Sequence, residues 1–123
     1  MEAIILEIIR SDQSASALYW LSIGYGAAHV VIRLKNKEVI SEIIDLVSQH
    51  KGESKAYWLE IGMFGPYEAT LYLNKESLNI IIDGDRCGDG SIQSFGLHLP
   101  ISRVGEFLEL LSSKWAEIMQ QYQ

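Results

Sequence analysis

The one local motif whose residue types invite metal or nucleophile chemistry is Asp83-Gly84-Asp85-Arg86-Cys87-Gly88-Asp89-Gly90-Ser91. Counted from Asp83, acids occupy positions 1 and 3 and a glycine position 6, the opening of a calcium-binding loop. In such a loop alternate oxygen ligands converge on the cation and the glycine makes the sharp turn. The match ends there. Position 5 is Cys87, a soft ligand unsuited to calcium, and position 12 is Ser94, where a bidentate Glu is required. The flanking residues have strand patterning, not helical patterning. The same residues make a wide hairpin loop whose glycines take positive φ and whose aspartates close local turns. They also make an acidic rim suited to a basic partner, and both readings stand.

Cys87 has a cationic neighbour, Arg86, of the kind that lowers a thiol pKa, but no base lies near it in sequence. His29, His50 and His98 have no metal-ligand spacing among them. Gly24-Tyr25-Gly26 is followed by no Lys-Ser/Thr pair and opens no helix, so it reads as a tight turn and not a phosphate loop. No catalytic residue, metal ligand or cofactor is assigned.

The elements that carry these residues are legible from periodicity. Ala56–Met63, Glu68–Leu73, Leu78–Asp83 and Ile92–Leu99 each keep an apolar set at spacing two. Phe64-Gly65-Pro66-Tyr67, Asn74-Lys75-Glu76-Ser77 and the Gly/Asp-rich loop separate them, giving an antiparallel meander. Upstream, Ala3–Arg10, Ala17–Ile23 and His29–Leu34 read as three further strands. Ala3–Arg10 is apolar on both faces except at Glu7, the pattern of a central strand.

Two segments have helical spacing. Asn36 caps a helix of about 15 residues, with Val39, Ile40, Ile43, Ile44 and Val47 as its stripe and Lys51-Gly52 as its end. Ser102 caps a second running to about Gln121, with Val104, Leu108, Leu111, Trp115 and Ile118 repeating at three and four. The predicted fold is α+β: a mostly antiparallel sheet, order βββ-α-ββββ-α, in one domain over residues 1–123, with both helices on one face. The expected core face of the meander is Tyr57, Leu59, Ile61 and Met63; Ala69, Leu71 and Leu73; Leu78, Ile80 and Ile82; Phe95, Leu97 and Leu99.

The net charge is −6 and uneven, with seven acids and six bases in residues 1–59 against nine and four in 60–123. Nucleic acid is thereby disfavoured, since phosphate neutralisation needs clustered Lys and Arg; a basic protein is the electrostatic complement. The single cysteine forbids an intrachain disulfide. The apolar start is broken by Glu2 and Glu7 and lacks a basic lead, so it reads as no signal peptide, and no run is long enough for a membrane span. The expected location is cytoplasmic.

Alternation puts Trp58 and Glu60, then Glu68, Thr70 and Tyr72, then Asn79, Ile81 and Asp83, then Ser94 and His98 on the outward face. Aromatics mixed with carboxylates suit a protein interface. An N-terminal strand, a loop or a homodimer partner over Trp58 and Tyr72 is the alternative. The expected partner-binding set is Trp58, Glu60, Glu68, Tyr72 and Asp83 with the loop acids Asp85 and Asp89. In length, acidity, α+β pattern and want of catalytic residues the chain resembles the small acidic immunity proteins of bacterial toxin systems, including contact-dependent growth inhibition. That resemblance implies a non-enzymatic protein that binds a cognate toxin domain, often a nuclease, and blocks its basic active site. Small acidic chaperones that dimerise around an unfolded segment are the second class. A small-molecule binder or enzyme on the sheet is the third.

Overall fold

The structure is a computed structural model that describes residues 2–12, 14–50, 53–86 and 92–121, with backbone alone at 84–86 and 92–94. Seven strands form one sheet in sequential order: β1 (Ile4–Arg10), β2 (Tyr19–Tyr25), β3 (Ala28–Leu34), β4 (Tyr57–Phe64), β5 (Tyr67–Leu73), β6 (Ser77–Arg86) and β7 (Ile92–Pro100). Every neighbouring pair is antiparallel. Helix α1 (Glu38–Gln49) joins β3 to β4, and α2 (Val104–Gln121) follows β7 through a 3-10 turn at Ile101–Arg103. The α+β reading, with two helices on one face, is what the chain adopts.

The inner face of the sheet and the two helices share one core. Leu21, Ile23 and Ile32 from the first three strands, and Leu71, Ile80 and Leu99 from the meander, are fully enclosed with Ile40 and Ile43 of α1 and Phe107 and Leu111 of α2. The pairing of β3 with β4 is short, Arg33 with Met63 and Leu34 with Gly62, and the sheet curls there until β7 comes against β3 and β2. A Cβ at Gly62 would collide with the Arg33 carbonyl oxygen, so this crossing requires glycine.

Several sequence expectations are corrected. β1 is an edge strand, not a central one: Ile5 and Ile9 point to the face that carries no helix and are 65% and 46% exposed. A bulge between Glu60 and Gly62 inserts one residue into β4, which reverses the facing of all that follow. Met63 therefore pairs with Glu68 on the outward face instead of entering the core. Phe95, in register with the buried Ile82, is 47% exposed, its ring packed edge-on against Phe64 at 5.3 Å. β2 begins at Tyr19 and α1 is 12 residues long. Asn36 does accept a hydrogen bond from the Val39 N–H, at 3.2 Å. Ser102 lies inside the 3-10 turn, not at the cap of α2. Lys51, Gly52, Cys87 and Asp89 lie outside the described residues.

Candidate partner-binding face

With α1 and α2 both on the inner side, the other side of the sheet carries no helix. One outward row crosses four strands in register: Trp58, Tyr72, Asn79, His98. The Trp58 and Tyr72 rings lie 4.1 Å apart at 30°. Trp58 is 63% exposed, so among the described residues neither an N-terminal strand nor a loop covers it. The rest of the row is tied by hydrogen bonds. Asn79 Nδ2 donates to Ser77 Oγ at 2.9 Å and, at 3.4 Å, to the Tyr72 carbonyl. Asn79 Oδ1 accepts from His98 Nδ1 at 2.6 Å, which puts the ring proton on Nδ1. Beneath them the β5–β6 turn is closed by Asn74, whose Oδ1 accepts the Glu76 and Ser77 N–H groups at 2.8 and 2.9 Å.

The next row is Glu60, Thr70, Ile81, Gly96. A Cβ at Gly96 would strike the Ile80 carbonyl oxygen, so no side chain fits there. Beside it lies a groove of about 440 Å³ whose lining includes Tyr72, Asn79, Ile81, Gly96 and His98. Beyond it, Met63 pairs with Glu68 and Asp83 with Ser94. Among the described residues the ion pairs are Arg103 with Glu106 and Lys114 with Glu7; Glu60, Glu68 and Asp83 make none, although Lys35 lines the same depression as Glu60 and Glu68.

The structure thus gathers Trp58, Glu60, Glu68, Tyr72 and Asp83 on one face. Asp85 is placed only by its backbone in β6, and Asp89 is outside the described residues. Sequence reasoning missed the β1–β3 half of the same face. There Ile9, Trp20, Arg33 and Met63 form a row that continues into Glu68. Ile5 and the 39% exposed Val31 extend this apolar area. The signal was present, in the double-sided apolar pattern of β1, but that pattern indicates an apolar second face without saying whether this chain buries it.

Ser22 Oγ lies 2.9 Å from His29 Nε2, the first contact of a nucleophile–base pair. Among the described residues nothing bonds His29 Nδ1, so the group that would orient such a base is missing. No group of three His, Cys, Asp or Glu side chains among the described residues converges as a metal site would. Compared with known proteins, the chain matches no family model, no curated protein and no solved structure.

Proposed function

We propose that this protein is a binding module that neutralises a basic protein partner, in the manner of an immunity protein covering a toxin domain. The observation that supports it is the stacked Trp58–Tyr72 pair standing exposed on one face with Glu60, Glu68 and Asp83, three carboxylates that make no ion pair among the described residues. Aromatic anchors near the centre of an interface carry much of its energy, and carboxylates around them guide a basic surface into register. Hydrogen-bonded strands hold the whole set, so little ordering entropy opposes binding. The test is affinity capture with the tagged chain, using as bait target the product of the neighbouring gene or the source cell's lysate. A basic protein retained by the wild type and released by Trp58→Ala supports the reading. A retained protein that binds Trp58→Ala, Glu60→Gln and Asp83→Asn as tightly as wild type overturns this assignment of the face.

A second reading, a chaperone-like dimer, draws on the exposed Ile5, Ile9 and Val31. It predicts a dimer in sedimentation at micromolar concentration that Ile5→Lys dissociates.

A further inference from the structure

The groove beside Gly96 has a mixed aromatic, apolar and polar lining. Ile81, Gly96, Tyr72 and His98 line it, together with Phe95 and Leu97. Its internal donors are already used: the Asn79 amide goes to Ser77 and Tyr72, and His98 Nδ1 goes to Asn79. Glu60 stands in the same row as Ile81 and Gly96, across Thr70, and Asp83 lies two residues along β6 on the same face. The result is an aromatic wall with two carboxylates, Glu60 and Asp83, outside the lining but on the same face, as the rim acceptors. Its volume of 440 Å³ is at the small end of ligand pockets, about 300–1,000 Å³, room for one side chain and not for a folded segment.

We infer that this groove receives an arginine side chain of the basic partner, its guanidinium lying against the Tyr72 ring and donating to the acceptors at the rim. The inference rests on the reading that the bare face binds a basic protein, and adds to it the anchoring residue. A guanidinium is planar, weakly hydrated and carries a fork of donors, so it stacks on a ring while bonding sideways. A lysine ammonium is a strongly hydrated point charge and gains less in the same place.

The experiment titrates the ¹⁵N-labelled protein with acetylated hexa-arginine and, separately, hexa-lysine at low salt. The Gly96 amide and the Trp58 indole are followed by NMR. Hexa-arginine is expected to shift both signals and to bind about fivefold more tightly, the increment of an exposed cation–π contact. Tyr72→Leu is expected to reduce hexa-arginine to the level of hexa-lysine, while Tyr72→Phe, which keeps the ring, retains the preference. A preference that survives Tyr72→Leu in a protein with native chemical-shift dispersion overturns the inference. Equal binding of the two peptides, with shifts at Glu60, Glu68 and Asp83, overturns the arginine seat and leaves the basic-partner reading standing. Binding of neither peptide overturns both.

Discussion

The Trp58 indole lies tilted over the Tyr72 ring from the adjacent strand, 4.1 Å between centroids, on the side of the sheet opposite both helices. Such a pair shields only part of each ring from water, and Trp58 remains 63% exposed. Its energetic value to the isolated fold is that of an ordinary cross-strand contact. Its value to a complex is that of a pre-formed apolar platform, because the two rings need not be ordered when the partner arrives.

Trp58→Ala separates these roles. Urea denaturation is expected to show a loss of about 0.2–1 kcal/mol, the range for a cross-strand pair. Partner binding is expected to weaken by about 2 kcal/mol or more, expressed as faster dissociation in surface-based kinetics.

Neutralising the rim has the opposite kinetic signature. Glu60→Gln and Asp83→Asn are expected to slow association and flatten its dependence on ionic strength, leaving dissociation nearly unchanged. Stopped-flow mixing at two salt concentrations measures this. Stability of the free protein is expected to stay within about 0.5 kcal/mol, since neither carboxylate has an ion-pair partner to lose among the described residues.

Two glycines give opposite answers to the same substitution. Gly96→Ala drives a methyl into the Ile80 carbonyl oxygen and is expected to destabilise by about 1–3 kcal/mol or more. Gly105, in the first turn of α2, has no atom within 4 Å of where a Cβ would stand. Gly105→Ala is expected to stabilise by about 0.4–1 kcal/mol, through helix propensity and a less flexible unfolded chain. Thermal and chemical denaturation of the two variants check both signs.

Asp12 supplies an acid-sensitive contact in the β1–β2 connection. Its Oδ1 accepts the Ser14 N–H at 2.8 Å, and the hydrogen bonds from Ser14 hold its pKa below the usual aspartate value. A lowered carboxylate pKa contributes stability that is fully present above the unfolded value and is lost as pH falls through the folded one. NMR titration of the Asp12 carboxyl should therefore give a midpoint below that of a free aspartate, with Ser14 amide protection declining across the same window.

The strands and helices were legible because each has one buried side. Ala69, Leu71 and Leu73 alternate cleanly in β5, and the α1 stripe of Val39, Ile40, Ile43 and Val47 is buried. Two errors share a cause, which is that periodicity reports pattern and not position. The residues of β1 are apolar on both faces in an edge strand as they would be in a central one. The bulge at Glu60–Gly62 changes the phase of β4 without any break in its apolar character, so Met63 was assigned to the wrong side. The aromatic and acidic members of the candidate face follow from alternation alone. The groove does not, because its lining comes from β5, β6 and β7 together, a juxtaposition that no single stretch of sequence encodes.

The edge position of β1 has a colloidal consequence. Ile4-Ile5-Leu6-Glu7-Ile8-Ile9 is a six-residue segment of high strand propensity whose one interruption is Glu7. At a sheet margin such a segment is a template on which further copies can stack, and natural edges resist this with a charge. Glu7 sits between Ile5 and Ile9 on the outward face, tethered to Lys114 of α2 at 3.3 Å. That single carboxylate is the one charge interrupting the segment, and the tether to α2 holds it at the margin where strand addition would begin.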